Sequence, residues 1–165
     1  MFNKNLGAST ILLLVLTLGL GGCQASHKET LNMTTPLNSR TLSITINRDP
    51  RAIYEFASNP QNLPKWAKGL GRSVELVNGK WIAETPQGPV TIRFVRKNEF
   101  GILDHYVTPA PGVEVFVPMR VVPNGSGGEV IFTLFQLPRI SDEKYAEDVR
   151  LVEQDLKNLK RILEE

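Results

Sequence analysis

The stretch from Ser141 to Glu164 limits the fold of this chain more than any other. Tyr145, Val149, Val152, Leu156, Leu159 and Leu163 recur at alternating spacings of four and three residues. That spacing predicts one apolar stripe on an α-helix, widened by Leu151 and Ile162. Ser141 is a natural N-cap, and Asp142 and Glu143 put negative charge on the first turn. Lys157, Lys160 and Arg161 put positive charge near the other end, so charge and helix dipole agree at both ends. At ~1.5 Å per residue the helix is roughly 36 Å long, and no Gly or Pro interrupts it. A helix with one apolar face needs a surface of matching length to cover.

The residues upstream read as that surface. Thr41 to Asn47 alternates, with Leu42, Ile44 and Ile46 on one face, and predicts a half-buried strand. Asp49 caps a short helix that starts at Pro50, carries Ile53, Tyr54, Phe56 and Ala57, and stops near Asn59-Pro60. Leu63 to Ala67 forms a second short helix, ended by Gly69 and Gly71. Ser73–Val77 and Lys80–Thr85 flank Asn78-Gly79, a strong hairpin signal. After a turn at Pro86-Gln87-Gly88, a strand carries Val90, Ile92 and Phe94. A turn at Asn98 to Gly101, a strand from Ile102 to Thr108 and a loop from Pro109 to Gly112 follow. Val113, Val115, Val117, Met119 and Val121 share one face of the next strand, where Pro118 marks an edge or bulge. Pro123 to Gly128 reads as a flexible loop, and Glu129 to Gln136 as the last strand before the long helix. Short hairpin connections imply an antiparallel sheet. With one long helix against it, the class is α+β, and a sheet of this size curls around the helix.

The start of the chain reads as an address. Met1 to Gly22 has a polar beginning with Lys4, then an apolar run from Ile11 to Leu20 that is too short to span a bilayer. Leu20-Gly21-Gly22-Cys23 resembles the bacterial lipoprotein lipobox. The resemblance implies a signal peptide over 1–22, lipidation of Cys23 as the new N-terminus, and a membrane held through that anchor. Several acyl chains give durable attachment where one gives only marginal binding. Gln24 after the cysteine resembles the outer-membrane sorting pattern, so the expected location is the bacterial cell envelope, on the outer membrane facing the periplasm. The polar segment to Arg40 is a flexible tether that includes His27, and the folded domain occupies 41–165.

Removing Lys4 with the leader leaves 18 basic residues against 17 acidic ones, too even a balance for a nucleic-acid partner. Cys23 is the single cysteine, which excludes an internal disulfide and thiolate-built metal sites. No metal or cofactor motif is legible. His105 is the one histidine of the domain, and no nucleophile elbow, His-Glu-x-x-His pair or phosphate-cradling loop accompanies it.

From about Arg40 onward the element order resembles the START-like, or SRPBCC, superfamily of helix-grip domains. That superfamily includes Bet v 1-type and polyketide cyclase/dehydrase-like proteins and lipid-transfer domains. Ala52-Ile53-Tyr54-Glu55-Phe56 running into Asn62-Leu63-Pro64-Lys65-Trp66 is similar to the family's opening helix and Pro-x-Trp segment. Gly101-Ile102-Leu103-Asp104-His105 and Asp155-Leu156-Lys157-Asn158-Leu159-Lys160 are similar to a bacterial branch of it. The resemblance implies a curved antiparallel sheet wrapped around the long helix, with a small apolar or lipid-like ligand held between them.

The inward strand faces and the helix stripe then supply the expected walls. Trp66 and Trp81 are the large aromatics expected near the cavity. Phe94, Val117, Met119, Phe132, Leu134, Leu156 and Leu159 line it on the assigned phase. His105 alternates with Leu103 and Val107 and faces inward, leaving Asp104 and Tyr106 outside; the opposite phase reverses this. Arg93, Arg120, Glu84 and Glu114 are expected on solvated faces. Ligand binding is the leading expectation. The alternatives are a ligand-free envelope interaction module and a cyclase-, dehydratase- or hydrolase-like enzyme with His105 as general base.

Overall fold

The computed structural model describes residues 35–70, 73–85 and 88–165. The leader, Cys23, Gln24, His27, Gly71 and the Pro86-Gln87 turn lie outside the described residues. The chain order is β1 (Ser39–Ile46), α1 (Pro50–Ala57), α2 (Leu63–Trp66), β2 (Ser73–Val77), β3 (Lys80–Thr85), β4 (Gly88–Phe94), β5 (His105–Ala110), β6 (Val113–Val117), β7 (Met119–Asn124), β8 (Gly127–Phe135) and α3 (Asp142–Glu164). All strand pairs are antiparallel. They form a three-stranded sheet, β1-β8-β7, and a five-stranded sheet, β2-β3-β4-β5-β6.

Local chemistry starts the helices as the sequence predicts. Asp49 Oδ1 accepts from Arg51 N at 3.0 Å and Ala52 N at 3.2 Å, and Pro50 sits in the first turn where no donor is needed. Ser141 Oγ accepts from Lys144 N at 3.2 Å at the start of α3. Asn78 and Gly79, with φ of 50° and 77°, make the tight β2–β3 hairpin.

Several strand boundaries differ from the sequence reading. The expected strand from Ile102 begins only at His105 and runs on to Ala110, so Pro109 and Ala110 are strand rather than loop. Residues 101–104 instead stitch the two sheets together. Leu103 N donates to Met119 O, Val121 N to Gly101 O and Val95 N to Asp104 O, each at 2.9 Å. The expected strand over Val113 to Val121 is broken at Pro118, where the chain leaves the edge of the five-stranded sheet for the edge of the other. Proline has no N–H for a ladder, and its carbonyl still accepts from Thr133 N at 3.0 Å. The alternation survives the break, because Val117, Met119 and Val121 are all buried.

The third difference is the glycine-rich segment. It is a tight hairpin rather than a flexible loop, since β7 reaches Asn124 and β8 begins at Gly127. Gly127 and Gly128 are buried, and a Cβ on Gly128 would lie 2.7 Å from Ile53 Cδ1. Gly128 lets α1 approach the sheet closely, and Gly127 leaves room for the backbone at the end of β1, where a Cβ would lie 2.5 Å from Ile46 O. At the N-terminal side, Ser39 and Arg40 belong to β1 rather than to the tether, because they pair with Phe135 and Leu134.

The core runs through both sheets and all three helices. Ile46, Ile53, Leu63, Ala83, Ile92, Leu103, Val130 and Leu159 are at most 1% exposed. Among the described residues, the core and the hydrophobics packed against it run from Leu42 to Leu163.

Candidate ligand-binding site

Between the five-stranded sheet and α3 lies a cavity of about 120 Å³. The sheet contributes Val90, His105, Val107, Val115 and Val117, and β8 adds Phe132 and Leu134. Trp66 closes it from α2, and Leu156 and Val152 from α3. The strand register explains the wall. Ile92, Val107 and Val115 stand directly opposite one another across β4, β5 and β6, as do Phe94, His105 and Val117. Residues opposite one another share a face, so both rows point at α3.

Of the residues expected around a ligand, Trp66, His105, Val117, Phe132, Leu134 and Leu156 stand on this wall. Trp81, Phe94, Met119 and Leu159 do not. Trp81 lies on the inner face of β3 opposite Ile92, but packs against the core beyond the cavity. Phe94 is turned into the stacking contact with His105, at 4.9 Å between centroids, and borders a separate cleft beside α1. Met119 and Leu159, each at most 1% exposed, are solid core. Strand alternation and helix phase give the correct face for these four. They do not say where along that face packing stops and open space begins.

The wall also carries polar groups. His105 is 3% exposed, and its Nδ1 lies 3.1 Å from Leu103 O. A carbonyl only accepts, so Nδ1 carries the proton and Nε2 keeps its lone pair. Burial lowers the His105 pKa from the usual 6.5 to about 4, partly opposed by the Leu103 bond, so the ring is neutral at physiological pH. Asp148 and Asp155 line the cavity from α3, seven residues apart on the helix face that holds Val152. Asp148 is 7% exposed and accepts from Lys144 Nζ at 2.8 Å. Its pKa is raised by burial, with the Lys144 bond pulling the other way. Asp155 Oδ1 accepts from Lys68 N at 3.1 Å. Tyr145, also on the wall, donates to Leu134 O at 3.1 Å.

Sequence reasoning missed both aspartates, although their positions beside Tyr145 and Leu156 on the stripe carried the signal. It also expected Asp104 outside. Asp104 is 8% exposed, accepting from Met119 N at 2.9 Å and pairing with Arg120 at the seam between the sheets. The inward His105 and inward Asp104 are compatible because 101–104 is a crossing segment without strand alternation. Tyr106 faces outward under Arg93, which pairs with exposed Glu114 at 2.9 Å. Among the described residues no group of three His, Cys, Asp or Glu side chains is placed to hold a metal ion.

An antiparallel sheet closed over a long C-terminal helix, with a cavity between them, defines the helix-grip class of α+β domains. The chain belongs to the polyketide cyclase/dehydrase and lipid transport family, whose profile matches residues 39–164. It is an SRPBCC-type domain. Among solved structures it is similar to the protein XoxI from Bacillus cereus, with a TM-score of 0.61 and 20% identity over 76% of this chain and 94% of that one. A protein from Bacillus thuringiensis gives a TM-score of 0.62 at 18% identity, over 78% of this chain and 100% of that one. Ara h 8.0201 gives 0.58 at 14% identity, over 78% and 98%. At these identities the likeness is one of fold. No curated protein sequence matches the chain.

Proposed function

We propose that this protein binds a small apolar or amphipathic molecule between its sheet and α3, and does so while anchored to a bacterial envelope membrane through Cys23. The observation that carries the binding reading is the cavity itself. Its wall is built from inward valines, Phe132, Leu134 and Leu156, and its few polar groups converge from β5 and α3. Apolar walls with a few placed polar groups are the usual composition of small-molecule sites. At about 120 Å³ it is smaller than the ~300–1,000 Å³ of typical ligand sites, and comparable with the ~150 Å³ apolar cavities that take up benzene. A ligand of one ring fits it as it stands. The anchor reading rests on Leu20-Gly21-Gly22-Cys23 behind its apolar run, with Gln24 favouring the outer membrane.

Native mass spectrometry of the fragment from Gln24 onward, purified without detergent, tests the binding reading. The expected result is a co-purifying species of discrete mass that organic solvent releases. A bare protein that also ignores a panel of lipids and apolar dyes refutes it.

A second reading as an interaction module has its own support. Phe100 is 80% exposed on a loop held rigid by Asn98, whose Oδ1 accepts from Phe100 N at 3.0 Å and Ile102 N at 3.1 Å. A preorganised exposed aromatic is a common anchor in protein interfaces. Substituting Phe100 would abolish partner capture on this reading and leave ligand binding intact.

A further inference from the structure

The segment between β4 and β5 holds Phe100 in water at 80% exposure, more than any other large apolar side chain among the described residues. Its backbone is braced around that ring. Asn98 Oδ1 accepts from Phe100 N at 3.0 Å and Ile102 N at 3.1 Å. Asn98 Nδ2 donates to Arg96 O at 3.0 Å and Ile102 O at 2.9 Å. Asn98 N donates to Tyr54 Oη of α1 at 2.8 Å, and Gly101 O accepts from Val121 N of β7 at 2.9 Å. Three N–H groups and three carbonyls beside the ring are thus satisfied inside the protein. Unsatisfied backbone groups are what keep loops out of lipid, and Phe100 leaves water without stripping these six of their partners.

The surroundings narrow the choice of surface. Val122, 36% exposed, and the exposed Pro123 extend the apolar end along β7. Pro123 and Phe100 border one groove, whose charged residues are Arg51, Lys97, Glu55 and Glu99, with Lys97 paired to Glu55. Two cations against two anions do not complement a nucleic acid or a strongly charged protein face. They do complement a surface of mixed phosphate and ammonium groups, with apolar contact as the driving contribution.

We infer that Phe100, Val122 and Pro123 form a membrane-docking tip, which sets the ring into the zwitterionic bilayer that holds the lipid anchor. This rests on the anchor reading above and is independent of the cavity. The chain reaches. Gly101 is bonded to Val121, whose row across the sheet is Val130 and Ile44, five residues along β1 from Ser39. At ~3.4 Å per residue the tip stands roughly 17 Å from the start of β1 along the strand. Residues 24–38 separate Cys23 from Ser39, and at ~3.3–3.6 Å each they span up to ~50 Å. Cys23 and Phe100 therefore meet one bilayer together. Tethering raises the effective concentration of the tip at the surface, so one aromatic contact suffices where a free protein needs several.

Hydroxyl-radical oxidation of the full-length protein tests this. The protein is purified from bacterial membranes and reconstituted in phosphatidylcholine vesicles. Mass spectrometry of the same sample reads acyl chains on Cys23 and oxidation of each phenylalanine. Phe116, 40% exposed on the five-stranded sheet, is the internal reference. Where both rings face water, their exposures of 80% and 40% make Phe100 the more reactive. Burying a phenylalanine ring favours the docked state by about tenfold or more, so the order is expected to reverse in vesicles, with Phe116 still oxidised. No variant is needed, and a protein partner cannot cause the protection because only this chain and lipid are present. An acylated protein in which Phe100 stays the more reactive overturns the inference, leaves the anchor in place and returns Phe100 to the protein-interface reading. Equal protection of both rings also overturns it, since the tip then has no preference for the bilayer. A chain without acyl on Cys23 overturns the anchor and the docking tip together.

Discussion

His105 and Gly101 show how single residues carry the consequences of this architecture. His105 is neutral in the folded protein because burial lowers its pKa to about 4, against the usual 6.5 in an unfolded chain. Between those values the unfolded state binds the proton and the folded state does not. Stability is therefore full above pH 6.5 and falls as the pH drops toward 4, by on the order of 3 kcal/mol in total. Urea midpoints at pH 7 and pH 4.5 are expected to show a steeper loss for the unsubstituted protein than for His105→Phe; parallel losses would contradict this. Gly101 has a φ of +69°, and a Cβ there would lie 2.0 Å from Val121 O, the backbone of the strand it is hydrogen-bonded to. Gly101→Ala is expected to cost about 2–4 kcal/mol, since it combines a strained φ with a backbone clash at the seam between sheets. Chemical denaturation reads this directly, and a change under about 0.5 kcal/mol would be inconsistent with the geometry.

Among the elements, α3 does two jobs with one face. Toward its C-terminal end Leu159 is fully buried, while Leu163 is only partly covered. Toward its N-terminal end Tyr145, Asp148 and Val152 border open space. Leu159→Ala is expected to destabilise by about 2–5 kcal/mol, with Leu163→Ala well below it, because the cost of truncation follows burial and residual cavity. Equal losses at the two sites would show that the stripe is uniformly packed. The strand reading fails in an informative way at Pro118. The odd-numbered residues from Val115 to Val121 keep one phase, yet the chain changes sheet between Val117 and Met119. Alternation is a local property of the backbone, and which partner strand completes the ladder is not.

For the whole molecule, the family profile begins at residue 39 and runs to residue 164. On the proposed function, the address precedes that profile in the chain. With the proposed anchor, full-length protein expressed in a bacterium with two membranes is expected to fractionate with the envelope and to carry acyl chains on Cys23. Cys23→Ser is expected to abolish the acyl mass and release the protein from that fraction. Envelope association that persists in Cys23→Ser, with no acyl mass on the original chain, would refute the anchor and leave the cavity reading untouched.

The sequence by itself determined the long helix, its N-cap, the Asn78-Gly79 hairpin, the strand faces and, through them, the α+β class. Each of these follows from residues close together in the chain, where periodicity and capping chemistry act locally. Much of the cavity wall was legible for the same reason, because Val117, Phe132 and Leu156 had to face inward. Only the tertiary structure decided that Trp81, Phe94, Met119 and Leu159 stand off this cavity while Trp66 and His105 border it. It alone showed Asp148 and Asp155 turned into the cavity and the 101–104 segment joining two sheets. Those outcomes depend on how far α3 stands from a curved sheet at each point. That separation is set by side chains distant in sequence, and no local pattern encodes it.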